Sequence, residues 1–123
     1  YAHHPEEVRA TLSATQSLYP NDEITVVFQP HLFSRTRDFS DEFAEALSLA
    51  NEVILLDIYP AREQPIEGVS SEMLLKKVTA TSKAHLSKEA LLEELSKNKR
   101  SVLLTLGAGD IDQLVEPIKN SYA

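Results

Sequence analysis

The sequence predicts an α/β domain of three layers, in which a mainly parallel β-sheet is covered by helices on both faces. Two observations predict it. Three short apolar runs show no alternation of polar and apolar residues, which is typical of strands buried on both faces. The segments between these runs carry apolar residues at helical spacing, and strands that alternate with helices favour a parallel sheet with crossover connections.

Three strands are predicted at residues 24–29, 52–57 and 101–106. The first follows the turn-like segment Pro20-Asn21-Asp22 and stops at Pro30, which cannot donate a ladder hydrogen bond. A shorter strand is predicted around residues 84–86. The order of elements is therefore α-β-α-β-α-β-α-β-α.

Five helices are predicted, over residues 5–18, about 36–50, about 71–78, from Ser87 onward and from Asp110 onward. Pro5 suits a first helical position, where its missing N–H is not needed. Ser70 or Ser71 and Ser87 are predicted N-caps. The second helix has an apolar face formed by Phe39, Phe43, Ala46, Leu47 and Ala50. The last carries Ile111, Leu114, Val115 and Ile118, with Asp110 as its cap.

Length and composition exclude several classes of protein. The 123 residues fit one domain, and 42% apolar content allows a compact core. The absence of cysteine excludes thiolate metal sites, and no apolar run approaches the roughly 20 residues of a membrane span. A net charge of −7 argues against nucleic acid or anionic membrane as a partner. A cytoplasmic location is expected.

The start of the chain suggests a piece of a longer protein. The first residue is Tyr1 and the only methionine is Met73. No glycine-rich loop ending in Gly-Lys-Ser/Thr is present, so the chain by itself is not expected to run phosphate-loop nucleotide chemistry.

A candidate anion site follows the first strand. Ligands of open parallel sheets bind beyond the carboxyl ends of the strands, where this chain places His31, Arg35 and Arg37. Two arginines at a predicted helix start oppose the helix dipole by roughly 0.3–1 kcal/mol each, whereas exposed N–H groups and guanidinium forks suit a carboxylate or phosphate. The alternative is that Arg37 pairs with Asp38 or Asp41 and Arg35 with a neighbouring loop.

Tyr1 and His3 lie before the first helix and, in an extended segment, face the same side. We expect one of the histidines at 3 and 4 to lie at the helix cap and the other in solvent. The spacing of His3, His4 and His31 matches no standard zinc motif, so no metal site is predicted.

Two further strand ends carry candidate residues. Asp57 resembles a phosphoacceptor position, but the first strand lacks following acids and the last lacks a following lysine, which excludes a receiver domain. Gly107 and Gly109 are candidate loop contacts, since glycines allow backbone N–H groups to face an anion. The alternative is a tight turn with Asp110 as a cap.

Four segments in order carry a family resemblance: YAHHPEE, VVFQPHLFSRTRDFSDEF, LLDIYPAREQPIEGVSS and LLTLGAGDI. They span nearly the whole chain, and it resembles the C-terminal domain of the Mur ligases, in the branch that adds L-alanine. The first and second segments are the specific ones. Leu32 departs from the pattern, since many relatives have a second basic residue there.

The resemblance implies that residues 1–123 are a Rossmann-like, amino-acid-binding domain with one antiparallel strand, in a three-domain bacterial enzyme of peptidoglycan synthesis. ATP with Mg²⁺ would phosphorylate the carboxylate of UDP-N-acetylmuramate, and L-alanine would then form the amide. It implies that His31, Arg35 and Arg37 lie near the alanine carboxylate and the acyl phosphate, and Tyr1 and His3 at the edge of the active site. This domain alone is expected to be inactive and to hold no cofactor tightly. The alternative function is a stand-alone module that binds a small carboxylate or a nucleotide.

Overall fold

The fold is α/β, as predicted, with a four-stranded sheet of strand order β3-β2-β1-β4. The computed structural model describes residues 4–98, 100–107, 110–114 and 116–118. The elements in chain order are α1 (Pro5–Leu18), β1 (Ile24–Gln29), α2 (Phe33–Asp38), α3 (Ser40–Leu47), β2 (Glu52–Leu55), α4 (Ser71–Lys77), β3 (Ser82–His85), α5 (Lys88–Lys97), β4 (Val102–Gly107) and a 3-10 helix (Asp110–Leu114).

The three strand pairings are parallel. Each strand is joined to the next through at least one helix, which returns the chain to the same end of the sheet. The antiparallel strand implied by the family resemblance is therefore not found in the part of the chain that the structure describes. The strand order reverses between β1 and β4, where Gln29 pairs with Gly107 at the carboxyl edge.

Helices cover both faces of the sheet. Buried residues of α1, α3 and α4 pack against one face, around Phe28 and Phe43, whose rings lie 5.2 Å apart. Leu91 and Leu95 of α5 pack on the other face with Ile111, Leu114 and Ile118. All six residues of β1 are buried, which explains why its sequence shows no alternation.

The predicted helix over 36–50 is wrong in its start and its continuity. Helix α2 begins at Phe33, and the chain bends at Phe39 (φ −117°, ψ 21°) before α3 begins at Ser40. Helix α2 is tied through Ser34 to the loop after β2, whereas α3 buries Phe43 in the core. Because the apolar spacing continues through Phe39, periodicity alone does not report this change of direction.

The predicted C-terminal α-helix begins instead as a 3-10 helix, and residues 116–118 are again helical. With three residues per turn, Ile111 and Leu114 project in the same direction, and both are buried as expected. Val115 and the side chain of Asp110, the predicted cap, lie outside the described part of the chain.

The other predicted ends agree closely with the structure. Ser70 and Ser87 are the caps: their hydroxyls each accept a backbone N–H at 3.1 Å, from Met73 and Ala90 respectively. Ser71 instead donates to the Leu56 carbonyl. Among the described residues, no helix has the length and apolar content needed to cross a membrane.

Candidate functional site

The segment after β1 is paired with the loop after β2 at the carboxyl edge of the sheet. We call residues 30–38 the arginine segment and residues 56–70 the β2 loop. Tyr59 donates its N–H to the Pro30 carbonyl and accepts the Leu32 N–H, each at 2.8 Å. The rings of His31 and Tyr59 are stacked, with centroids 5.8 Å apart and planes 13° apart. His31 is therefore held by both its backbone neighbours and its ring.

Leu32 lies in a backbone conformation that leucine rarely adopts, with φ 70° and ψ 136°. Such a residue costs about 1–3 kcal/mol and persists only where its surroundings hold it. The Leu32 N–H donates to the Tyr59 carbonyl. The Leu32 carbonyl accepts the Thr36 N–H at 3.2 Å and the Thr36 hydroxyl at 2.8 Å. The strained residue is thus held on both sides, immediately before α2.

Glu63 of the β2 loop binds the start of α2. Its carboxylate accepts the backbone N–H of Ser34 at 3.1 Å and also the Ser34 hydroxyl. The hydroxyl bond, followed by the backbone N–H bonds, lowers the pKa of Glu63, and the charge of Arg37 adds to this. The expectation of free N–H groups at this helix start is therefore wrong at Ser34, because a carboxylate of the chain itself already occupies it.

Helix α2 has only six residues, so Arg35, its third residue, lies just inside the helix start and also in the last turn, whereas Arg37 lies in the last turn. Cations are favoured in a last turn, so the expected dipole penalty does not apply to Arg37. Exposed Arg37 donates to the Asp38 carboxylate at 2.8 Å, and this bond raises the pKa of Arg37. Of the two predicted partners of Arg37, the structure therefore shows Asp38. The other, Asp41, pairs with Lys77 at 2.8 Å.

Arg35 differs from Arg37 in its partners. Its side chain is half-buried, and it forms no hydrogen bond or ion pair with any residue that the structure describes. The guanidinium donors of Arg35 therefore remain available to a ligand at the carboxyl edge. A planar fork of this kind binds a carboxylate through two parallel N–H bonds.

Gly107 has a structural reason to be glycine. Its φ is +150°, and an added Cβ would lie 2.9 Å from the Gln29 carbonyl oxygen and 3.1 Å from Cγ2 of Ile111. The close approach of the β1 and β4 ends therefore requires glycine. Whether Gly107 also contacts a ligand stays a prediction, and Gly109 lies outside the described residues.

The N-terminal candidates are described only in part. Tyr1 and His3 lie outside the described residues, so their roles stay predictions. His4 is the N-cap residue of α1, as expected for one histidine of the pair, and its N–H donates to the Glu7 carboxylate at 3.0 Å. Its ring contacts Phe39 edge-on at 6.3 Å. Within the described ranges, no three His, Asp or Glu residues are grouped to hold a metal ion.

Two clefts lie at opposite edges of the sheet. One of about 230 Å³ opens at the carboxyl edge between Gln29, Tyr59 and the start of α5. A larger one of about 400 Å³ lies at the amino edge, where Arg100 binds Glu52 at 2.9 and 3.1 Å. In the amino-edge cleft Arg100 and Glu52 neutralise each other, whereas ligands of parallel sheets bind at the carboxyl edge. The carboxyl edge is therefore the candidate functional site.

Comparison with known proteins identifies the family of the chain. Residues 1–109 match the family model described as Mur ligase, glutamate ligase domain. The chain belongs to this family. It is 54% identical over 119 residues to a UDP-N-acetylmuramate–L-alanine ligase of Cytophaga hutchinsonii, and equally to one of Parabacteroides distasonis. In both cases 97% of this chain is covered but only 26% of the relative, so the chain spans about a quarter of their length.

Solved structures show the same fold. A crystal structure of UDP-N-acetylmuramate–alanine ligase from Thermotoga maritima matches 99% of this chain and 25% of its own, with a TM-score of 0.70 and 30% identity. A murein peptide ligase from Psychrobacter arcticus superposes with a TM-score of 0.74 over 98% of this chain and 26% of its own. At 14% identity, the second structure supports the fold alone.

Proposed function

We propose that this chain is the amino-acid-binding domain of a UDP-N-acetylmuramate–L-alanine ligase, and that Arg35 binds the carboxylate of L-alanine. The observation that carries the proposal is the half-buried Arg35 at the carboxyl edge, without a partner among the described residues. Arg37 is less suited, because its guanidinium already donates to Asp38. His31 lies in the same segment as Arg35 and stacks on Tyr59, which lines the carboxyl-edge cleft.

In this reaction the amine of L-alanine attacks the carbonyl carbon of a muramyl acyl phosphate. The C–N bond forms, the C–O bond breaks and phosphate leaves, and the attacking amine releases a proton to solvent. A guanidinium that fixes the alanine carboxylate orients the amine toward the carbonyl, and orientation of this kind supplies much of the rate of such reactions. Positive charge near the acyl phosphate also balances the charge that develops there.

The remaining parts of the reaction are proposed to lie in other domains of the same protein. ATP, UDP-N-acetylmuramate and Mg²⁺ are its proposed substrates and metal, and the bacterial cytoplasm is its proposed location. The described residues of this chain do not group three metal-binding side chains, so no step on this chain is assigned to Mg²⁺. The three-domain organisation also stays a proposal.

The test is to measure phosphate release and amide formation from UDP-N-acetylmuramate, ATP and L-alanine. A full-length protein that carries this domain should need all three substrates, and the isolated chain should show no turnover. Turnover by the isolated chain, or a full-length protein that does not respond to L-alanine, would refute the proposal.

The stand-alone binding module is the competing function. It predicts that the isolated chain binds L-alanine with submillimolar affinity, seen as NMR shifts at Arg35 and His31. The relatives favour the ligase, since two of them carry that name at 54% identity. We expect weak binding by the isolated domain, because closure between domains normally completes such a site.

A further inference from the structure

We propose that Glu63 is a positioning residue that fixes the orientation of Arg35 by holding the start of α2. The inference rests on the proposed role of Arg35 in binding the alanine carboxylate. Glu63 itself is not placed in contact with a substrate. Its carboxylate acts on the residue before Arg35, through the Ser34 N–H at 3.1 Å and the Ser34 hydroxyl.

Helix α2 is too short to hold its own orientation. It has six residues, whereas isolated helices below about 12–15 residues are marginal in water. The N–H groups of a first turn also have no partner inside the helix. Glu63 supplies that partner at Ser34, so the direction of α2 depends on a contact that spans 29 residues of sequence.

Three contacts hold the segment on either side of the strained Leu32. Tyr59 accepts the Leu32 N–H on one side, and Glu63 binds Ser34 on the other. Thr36, which is fully buried, donates its hydroxyl to the Leu32 carbonyl. Tyr59 contributes its backbone, whereas Glu63 contributes a side chain of the β2 loop. A substitution at Glu63 can therefore remove its contact without changing the backbone pairing of Tyr59.

The contact is polar and lies at the surface of the domain. Glu63 is only half-buried and does not belong to either core cluster of described residues. Its removal should therefore alter the arginine segment more than the stability of the core. Glutamine keeps the size of the side chain and one carbonyl oxygen that can accept the Ser34 N–H, so Glu63→Gln should be milder than Glu63→Ala.

The experiment measures kcat and KM for L-alanine and for ATP in a full-length ligase that carries this domain. Glu63→Ala should raise KM for L-alanine about tenfold, equivalent to about 1.4 kcal/mol, and leave KM for ATP within about twofold. Glu63→Gln should give a smaller rise. The matched control is Glu67→Ala, since Glu67 is an exposed glutamate of the same loop, and it should change neither constant.

The outcomes separate this inference from the proposed function. If Arg35→Ala raises KM for L-alanine but Glu63→Ala does not, the positioning role is refuted and the proposed function survives. If Arg35→Ala has no effect, the proposed function itself fails. An equal rise in both KM values for Glu63→Ala would indicate general damage and would also overturn the inference.

A second set of variants keeps the test valid if Glu63→Ala does not fold. Ser34→Ala, Glu63→Gln and their combination act on the same contact, so their effects on KM for L-alanine should not add. The double variant should resemble the more impaired single variant. Additive effects would show that Glu63 acts independently of Ser34 and would contradict the proposal.

Discussion

Gly107 offers a quantitative test of how closely the ends of β1 and β4 approach. In Gly107→Ala, the new Cβ would lie 2.9 Å from the Gln29 carbonyl oxygen and 3.1 Å from Cγ2 of Ile111. The first neighbour is backbone and the second belongs to a buried side chain, so neither gives way easily. The residue also has φ +150°, where a side chain adds strain of about 1–3 kcal/mol.

The expected loss of stability combines the backbone strain at residue 107 with the cost of overpacking by the added Cβ. Overpacking typically adds about 1–3 kcal/mol. Loss of glycine's freedom in the unfolded chain offsets about 0.4–1 kcal/mol. We therefore expect Gly107→Ala to lower the free energy of unfolding by about 1–6 kcal/mol. For a chain of this size the midpoint of thermal unfolding should fall by roughly 4 °C per kcal/mol.

The assay is urea and thermal unfolding of this chain, with Gly68→Ala as the matched control. Gly68 also has a positive φ (+80°), but nothing lies within 4 Å of an added Cβ. Gly68→Ala should therefore cost only about 0–3 kcal/mol, because the strain and its offset apply without the cost of overpacking. The reasoning would be refuted if Gly107→Ala were within about 0.5 kcal/mol of the parent chain or no worse than Gly68→Ala.

Three further predictions concern other parts of the molecule. Leu32→Gly should relieve the strain at φ 70° and raise the free energy of unfolding by up to about 1 kcal/mol in urea titrations, and a loss above about 1 kcal/mol would contradict the strain argument. The pKa of Glu63 is lowered below its ordinary 4.5, so its stabilisation is present above that pH and is lost as pH falls through the folded-state pKa. The stability difference between the parent and Glu63→Gln should therefore shrink between pH 6 and pH 3, whereas a constant difference would contradict the charge argument. Ser87→Ala removes the cap of α5 and should cost about 0.5–2 kcal/mol in the same titrations. Exposed Ser96, whose hydroxyl donates to the Glu93 carbonyl within α5, provides the control Ser96→Ala, and equal losses would reject the capping role.

The sheet was predictable because its strands are buried on both faces. Continuous apolar runs leave few alternatives when helical spacing fills the segments between them, and the described strands lie within or next to the predicted ranges. The break at Phe39 was not predictable, since Phe39 fits the apolar spacing of the following helix. Its conformation depends on how α2 and α3 are held by different parts of the fold.

The candidate site was predictable in its place but not in its contacts. The rule that ligands bind beyond the carboxyl ends of parallel strands points directly to His31 and Arg35. The bond between Glu63 and Ser34 joins residues 29 positions apart, and nothing local in the sequence marks it. The positive φ of Leu32 also has no sequence signal, because leucine is not a residue that favours it.

The central claim, that Arg35 binds the carboxylate of L-alanine, is tested most directly by Arg35→Ala in a full-length ligase that carries this domain. The matched control is Arg62→Ala, since Arg62 is an exposed arginine of the neighbouring β2 loop. We predict that Arg35→Ala lowers kcat/KM for L-alanine more than about tenfold, equivalent to about 1.4 kcal/mol, while Arg62→Ala leaves it unchanged. An unchanged kcat/KM for Arg35→Ala would contradict the account.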